Sequence, residues 1–275
     1  MNLVTYFDSN YIPKAAAMIR SLLRNNPDAS IYALCCDEGA VNFAKDEEVN
    51  VIPLRKLEAH YPELRKIQET RGWVEFMWTL TPLVMSYLME IDGLDQLSYV
   101  DADLFFFSPL DELYDEAEGG DICAIPHRWS PQHAKRLAPN GKYNVSWLNV
   151  VNSQVGIDFL TNWGDLCIDS CVRQTGNMGD QGYLDGLSMK YGIYDIQHLG
   201  ANLAPWSQEQ YTYAMDGNRM LVNGDRLLFY HFHEFLATDS GDTLRRTGYK
   251  LHPFVAEHIY PAYEDEIKSI CRRLK

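Results

Sequence analysis

The chain has 275 residues, of which 46% are hydrophobic, and a formal net charge of −14. This length and composition fit a folded globular protein, whereas the negative charge argues against nucleic acid as a general partner, because phosphate backbones are bound by basic surfaces. The N-terminal residues carry no signal pattern and no apolar run approaches the roughly 20 residues that span a bilayer, so we expect a cytoplasmic protein with six reduced cysteines.

Strand-like and helix-like patterns alternate along the first part of the chain. Apolar runs predict strands at residues 3–7, 31–36, 49–52, 98–107, 121–126 and 227–233. Helical patterns begin at Pro13, cover 73–91, lie near 155–171 and follow Pro261. This alternation predicts an α/β fold with a mostly parallel sheet covered by helices on both faces, and no linker-like or repetitive segment divides it.

Two aspartates, Asp101 and Asp103, interrupt the apolar run 98–107. A carboxylate enters an apolar environment at high cost unless a partner compensates its charge, and a bound cation is the simplest partner. Side chains alternate along a strand, so both carboxylates are expected on one side and Ala102 on the other. Oxygen ligands of this kind suit Mg²⁺ or Mn²⁺.

Other polar residues are expected to lie near this pair. In mostly parallel sheets ligands bind beyond the carboxyl ends of the strands, and Asp8 follows the first strand as Asp101 follows a later one. His231 and His233 lie in the last predicted strand, where a spacing of two residues puts them on one face. A neutral imidazole is a good third ligand for Mn²⁺, although a strand histidine is also commonly a hydrogen-bonded core residue.

The order of four motifs resembles the nucleotide-sugar glycosyltransferases of the GT-A fold, especially the glycogenin-like and lipooligosaccharide galactosyltransferase-like enzymes of family eight and their bacterial relatives in surface-polysaccharide synthesis. The motifs are residues 8–11 (Asp-Ser-Asn-Tyr), 99–103 (Tyr-Val-Asp-Ala-Asp), 179–184 (Gly-Asp-Gln-Gly-Tyr-Leu) and 231–232 (His-Phe), and segment 200–206 is also typical of the bacterial relatives. The resemblance covers roughly residues 2–233. It implies a GT-A, Rossmann-like domain over 1–260, with a donor-binding half of about 1–110 and an acceptor-binding, metal-completing half of about 111–260, followed by an amphipathic helix at 261–275.

The resemblance assigns roles to the candidate residues. It implies metal ligation by Asp101, Asp103 and His231. It also implies donor binding by a larger set, which includes the two aspartates. The predicted donor-binding residues are Asp8, Asn10, Tyr11, Asp101, Ala102, Asp103 and His233. Asp180 and Gln181 are expected beside the anomeric carbon, where the family transfers with retention of configuration; if this enzyme inverts, Asp180 becomes the general base. The alternative for Asp180 is a helix cap, and for the 8–11 segment a turn with a packed aromatic residue.

Two departures from the family concern phosphate-binding cations. The family has an Arg in the helix before the aspartate strand, where this chain has 78–82 without Arg, and it has Lys-Pro-Trp after the His-Phe pair, where this chain has 233–236. Arg245, Arg246 or Lys250 are candidate substitutes. Asn144, Trp147, Asn149 and Trp206 form a polar and aromatic set that is typical of sugar-binding faces, although Trp is more often a core residue.

The predicted function is metal-dependent transfer of a sugar, with UDP as the favoured nucleotide, to a glycan or lipid-linked glycan in surface polysaccharide or lipopolysaccharide synthesis. Transfer with inversion, hydrolysis of the donor, a non-catalytic nucleotide- or glycan-binding relative and a sugar nucleotidyltransferase are the alternatives. The basic end of the last helix, with Arg272, Arg273 and Lys275, could contact the cytoplasmic face of the inner membrane.

Overall fold

The computed structural model describes residues 1–174, 177–237 and 244–274. The described α-helices, in chain order, are α1 (Ile12–Asn25), α2 (Glu38–Ala44), α3 (Leu54–His60), α4 (Leu64–Thr70), α5 (Trp73–Asp92), α6 (Asp111–Ala117), α7 (Leu137–Asn140), α8 (Gln154–Asp169), α9 (Leu184–Tyr191) and α10 (Tyr260–Arg273). The strands are β1 (Asn2–Phe7), β2 (Ser30–Cys35), β3 (Asn50–Pro53), β4 (Gln96–Val100), β5 (Leu104–Phe106), β6 (Ile122–Pro126), β7 (Tyr143–Val151), β8 (Arg173–Gln174), β9 (Asn177–Met178), β10 (Tyr194–Asp195), β11 (Tyr213–Asp216), β12 (Arg219–Val222), β13 (Asp225–Arg226), β14 (Phe229–His231), β15 (Leu236–Ala237) and β16 (Leu244–Arg245).

A seven-stranded sheet with the order β10-β6-β7-β4-β1-β2-β3 forms the centre of the fold. Its strands pair in parallel except β7, which runs antiparallel to both β4 and β6. The mixed, mostly parallel α/β sheet predicted from the sequence is therefore confirmed. Because β1 and β4 are parallel neighbours, the residues that follow both strands emerge at the same edge of the sheet.

Both faces of the sheet are covered by helices. The core on one face includes apolar side chains from α3, α4, α5, α8 and α9, and the core on the other face includes side chains from α1, α2 and α6. Local sequence explains several helix ends: the Asp37 carboxylate caps α2, the Ser153 hydroxyl caps α8, and Gly93 ends α5 in the left-handed conformation at φ 61°.

The last helix packs on a smaller antiparallel pair, β14 with β5. Tyr263 of α10 stacks on Phe232, with ring centroids 3.8 Å apart, and Ile267 and Ile270 are also buried. The apolar face of α10 is thus buried against the rest of the protein. Lys275, which we placed in the basic tail, lies outside the described residues. None of the helices in the described ranges has the length and apolar character needed to cross a membrane.

Two predicted strands are shorter than the sequence indicates, and both differences fall at the candidate site. The run 98–107 is not one strand: β4 ends at Val100, residues 101–103 form a turn closed by a hydrogen bond from Leu104 N to Asp101 O, and β5 begins at Leu104. The last strand ends at His231, so His233 lies in a turn and not on a strand face. Strand alternation is therefore the wrong reason for pairing Asp101 with Asp103 and His231 with His233.

Candidate active site

A cleft of about 470 Å³ opens at the edge of the sheet where β1 and β4 end. Most of the predicted site residues line it, namely Asp8, Tyr11, Asp101, Ala102, Asp103, Asp180, Gln181, His231 and His233. Asn10 does not line the cleft: its side chain is exposed and donates a hydrogen bond to Asp8 Oδ2 at 3.2 Å. Segments far apart in the chain thus meet in one concave site.

Three of these residues form a group that could hold a metal ion. One ligand atom each from Asp101, Asp103 and His231 lie within 4.8 Å of one another. His231 Nε2 is 3.2 Å from Asp103 Oδ1 and 4.0 Å from Asp101 Oδ2. Two carboxylates and one imidazole are a suitable donor set for Mn²⁺ or Mg²⁺, and three protein ligands leave positions for water or substrate oxygens.

Asn144 orients the histidine of this group. The Asn144 Oδ1 atom lies 3.2 Å from His231 Nδ1, and because an amide oxygen only accepts, Nδ1 carries the proton. In a neutral imidazole this leaves the lone pair on Nε2, the atom that faces the two aspartates. Asn202 Nδ2 donates to the same Asn144 oxygen at 3.1 Å, from a backbone held in the left-handed region at φ 57°.

Charges in the metal group depend strongly on burial and on one another. Burial raises the pKa of Asp101 to about 6, although His231 opposes the shift. For Asp103, the attraction of His231 and Lys14 outweighs burial and holds the pKa below its ordinary value. The two aspartates in turn raise the pKa of His231 despite its burial. Without a metal, these shifts favour an ion pair between His231 and Asp103, which a divalent cation would replace.

Asp180 and Gln181 also line the cleft. Asp180 is 4% exposed, accepts a hydrogen bond from Thr81 Oγ1 at 2.7 Å, and caps the following turn through Gln181 N at 2.9 Å. This turn is Gln181–Tyr183, whereas α9, the helix for which Asp180 was the predicted cap, begins at Leu184 without a side-chain cap. Burial raises the pKa of Asp180 to about 7, and the nearby Asp101 charge adds to this shift.

The amide of Gln181 is held on both sides. Its oxygen accepts from Asn144 Nδ2 at 3.1 Å and from Val145 N at 3.4 Å, and its nitrogen donates to Asn140 O at 2.9 Å. Its second N–H has no partner among the described residues and is available to a ligand. Through Asn144 the orientation of Gln181 is coupled to that of His231.

The Asp8 carboxylate accepts more hydrogen bonds from the protein itself than the sequence indicates. Its Oδ1 accepts from the backbone N–H groups of Asn10 and Tyr11, and its Oδ2 accepts from Asn10 Nδ2 and from Trp73 Nε1 at 2.8 Å. These contacts occupy about all the acceptor positions of a carboxylate. Asp8 therefore joins the loop after β1 to the first residue of α5, and direct contact of its carboxylate with a nucleobase stays a prediction.

The structure separates the predicted sugar-facing residues. Asn144 lines the cleft, but Trp147 and Asn149 are completely buried in β7, so the prediction that they face a sugar is wrong. Trp206 lines the cleft with only 3% of its surface exposed. Its ring packs edge-on against His231 and His233 and its indole donates to the His127 carbonyl, which makes it a support for the histidines.

Several residues of the site were missed in the sequence. Trp73, Trp129, Arg136 and Tyr249 line the cleft, and Lys14 Nζ lies 3.9 Å from Asp103 Oδ2. Lys14 could have been found in the sequence, because a cation is unusual in the first turn of a helix that follows a strand end. By contrast, Arg246 is paired with Glu264 on α10, and the side chain of Arg245 lies outside the described residues. Among the described side chains, neither Arg246 nor the exposed Lys250 lines the cleft.

Comparisons with known proteins identify the fold. No protein-family model matches the chain. Among solved structures, the chain resembles the galactosyltransferase LgtC bound to donor and acceptor sugar analogues, with a TM-score of 0.59 and 14% identity over 98% of this chain and 96% of LgtC. Mouse xyloside xylosyltransferase 1 gives a TM-score of 0.54 and 14% identity over 85% of this chain and 98% of that one. The fold is therefore the GT-A fold found in these glycosyltransferases.

Further similarities come from bacteria. The glycosyltransferase GlyE of Streptococcus pneumoniae TIGR4 has a TM-score of 0.56 and 15% identity, covering 98% of this chain and 61% of GlyE. In sequence, the chain is 27% identical to the uncharacterized protein YfnF of Bacillus subtilis strain 168, over 98% of this chain and 93% of YfnF. It is 28% identical to the uncharacterized protein YfnD of the same strain, over 84% of this chain and 76% of YfnD.

Proposed function

We propose that this protein is a metal-dependent glycosyltransferase that moves a sugar from a nucleoside diphosphate sugar, UDP being the favoured nucleotide, to a glycan acceptor. The observation that carries the proposal is the Asp101–Asp103–His231 group in the cleft of a GT-A fold. Mn²⁺ or Mg²⁺ held there would neutralise the donor diphosphate and stabilise the charge that develops on the leaving nucleotide.

Different residues around the metal group would bind different parts of the donor. Tyr11 and Trp73 offer aromatic surfaces at the end of β1, where they would hold the nucleobase, and Asp8 fixes their loop and helix relative to each other. Asp180 and Gln181 would contact the donor sugar. Ala102 and His233 line the wall beside the metal group and would contact the donor.

We favour retention of anomeric configuration. The Gln181 oxygen already accepts two hydrogen bonds and an amide is a poor nucleophile, so a covalent intermediate on Gln181 is disfavoured. In the proposed step the bond from the anomeric carbon to the phosphate oxygen breaks as the acceptor oxygen bonds on the same face. The acceptor proton passes to the leaving phosphate.

The inverting alternative rests on Asp180. A carboxylate with a pKa of about 7 is well matched to general-base catalysis near neutral pH. Its two oxygens, however, are engaged by Thr81 Oγ1 and by Gln181 N. The anomeric configuration of the product, determined by NMR, distinguishes the two mechanisms.

The resemblance stated above extends the proposal to a pathway, surface polysaccharide or lipopolysaccharide synthesis in the cytoplasm. Peripheral contact with the inner membrane stays a prediction. Because the apolar face of α10 is covered, such a contact would depend on the charges of Arg272 and Arg273 near its end.

A thermal-shift panel of UDP-, GDP-, CMP- and dTDP-sugars, each with and without Mn²⁺, tests the proposal. A ligand that binds only the folded protein raises the Tm, and we expect a shift that requires both Mn²⁺ and one nucleotide class. Asp103→Ala should abolish this shift, whereas Asp28→Asn, an exposed carboxylate at the amino end of β2, should retain it. No metal-dependent shift with any donor would contradict the proposal. Mass spectrometry of donor consumption then separates an enzyme from a non-catalytic binding protein.

A further inference from the structure

Lys14 is placed at a cost that the fold does not explain. It lies in the first turn of α1, where the helix dipole disfavours a cation. Its side chain is only 12% exposed, and Nζ has no hydrogen-bond acceptor among the described residues. Its described contacts are Asp103 Oδ2 at 3.9 Å and the face of the Tyr11 ring, whose centroid is 4.4 Å away.

The Asp103 contact does not account for this burial. Asp103 already has a closer partner in His231 Nε2, at 3.2 Å. A desolvated ammonium without hydrogen bonds costs more than a loose ion pair returns. Lys14 is not itself among the residues that line the cleft, but its three N–H donors lie beside Tyr11 and Asp103, which do, and they are therefore available to a ligand there.

Three other cations in the described part of the chain are paired elsewhere or exposed. Arg128 donates to the carbonyls of Ile196, His198 and Ala201, and Arg246 is paired with Glu264. Arg136 packs on Tyr249 in an exposed segment. A dianionic diphosphate would otherwise meet a wall that carries the carboxylates of Asp8, Asp101, Asp103, Asp180 and Glu234.

We propose that Lys14 binds the diphosphate of the donor, by donating to a non-bridging phosphate oxygen beside Asp103. This inference rests on the proposed function. With two aspartates and a neutral histidine, a divalent ion gives a group of zero net charge, and Lys14 makes it positive. A divalent ion held by Asp103 would bring a phosphate oxygen of the donor next to this carboxylate, and Lys14 Nζ, 3.9 Å from Asp103 Oδ2, would donate to that oxygen.

The proposal predicts opposite effects on two ligands. Lys14 repels a metal ion bound alone and attracts the diphosphate that follows it. In Lys14→Met, Mn²⁺ alone should bind equally well or several-fold more tightly, as measured by electron paramagnetic resonance of free Mn²⁺. UDP in saturating Mn²⁺ should bind about 10- to 100-fold more weakly by calorimetry, as expected for one lost charge-assisted hydrogen bond.

Two further variants separate binding from structure. Lys14→Arg keeps the charge and should retain UDP affinity within a few-fold, and Lys66→Met, on the exposed surface of α4, should behave as wild type. The metal-free Tm of Lys14→Met should be unchanged or higher, because the desolvation cost is removed. If Lys14→Met weakens Mn²⁺ and UDP together, or lowers the Tm while UDP affinity is unchanged, Lys14 is structural and the proposal is wrong.

The same experiment distinguishes a failure of the Lys14 proposal from a failure of the glycosyltransferase proposal. If wild-type protein with Mn²⁺ binds inorganic pyrophosphate but no nucleoside diphosphate, the glycosyltransferase proposal fails while Lys14→Met still tests the diphosphate contact. If wild type binds UDP and Lys14→Met binds it equally well, only the Lys14 proposal fails. If wild type binds neither, both are overturned.

Discussion

Asn144 is the residue through which the metal group and Gln181 depend on each other. It accepts from His231 Nδ1 and Asn202 Nδ2 and donates to Gln181 Oε1. Asn144→Leu keeps the approximate size but removes all three hydrogen bonds. We expect this change to release the His231 ring and the Gln181 amide together.

The magnitude follows from the groups left without partners. A residue that orients a metal-ligating histidine typically contributes 10- to 100-fold to metal affinity, which corresponds to about 1.4 to 2.7 kcal/mol. Each buried polar group left unpaired costs about 1 kcal/mol or more in stability. Asn144→Leu should therefore bind Mn²⁺ at least about tenfold more weakly and unfold at a lower temperature.

Asn144→Asp is the matched variant. A carboxylate still accepts from His231 and Asn202 but cannot donate to the Gln181 oxygen. Mn²⁺ affinity should stay within a few-fold of wild type or increase, whereas sugar transfer should fall, since the Gln181 amide loses the donor that fixes it. Free Mn²⁺ by paramagnetic resonance and product formation by mass spectrometry measure the two effects. Equal Mn²⁺ affinity in wild type and Asn144→Leu would refute the orienting role.

Two other predictions concern the walls of the cleft. The pKa of Asp180 is about 7 in the folded protein against an ordinary 3.8, so the folded state binds the proton more strongly and stability falls as pH rises between these values. Wild type should lose up to roughly 3 kcal/mol of its free energy of unfolding between pH 5 and pH 8 through this group, and Asp180→Asn should not. In metal-free buffer the Tm difference between the variant and wild type should therefore grow with pH. Parallel Tm profiles would contradict the buried charge. Trp73→Phe removes the hydrogen bond to Asp8 and keeps an aromatic ring beside Phe76, so UDP should bind about fivefold more weakly, a loss of about 1 kcal/mol, with Mn²⁺ affinity unchanged. A parallel loss of Mn²⁺ affinity would show that Asp8 and Trp73 act on the whole site.

The candidate site could be predicted in part because charge within apolar sequence is a local signal. Asp101 and Asp103 were predicted as metal ligands and lie in a group that could hold a metal ion, yet the argument from strand alternation fails, since a turn at 101–103 replaces the strand. The same limit applies to His233, which lies in a turn where Glu234 adopts φ 61°. Hydrophobic periodicity does not report where a strand stops within a continuous apolar run.

Burial separates residues that composition cannot distinguish. Trp147 and Asn149 were expected beside a sugar, but they point from the central β7 into the packed interior. Asn144 lies in the same strand and reaches the cleft. Which residues of β7 meet the site depends only on two tertiary features. These are the position of β7 between β4 and β6 and the register shift in its pairing with β6 near Ala124.

By itself the sequence determined the alternation of strands and helices and the aspartate pair, because these depend on periodicity and on the cost of charge in apolar segments, whereas His231 as a third ligand was implied by the resemblance of its motif. Tertiary structure alone decided which groups surround them. Lys14 beside Asp103, Asn144 on His231 and Trp73 on Asp8 join residues that are 65 to 89 positions apart. Such contacts follow from the order of strands in the sheet and from where each strand ends, and no local pattern in the chain encodes them.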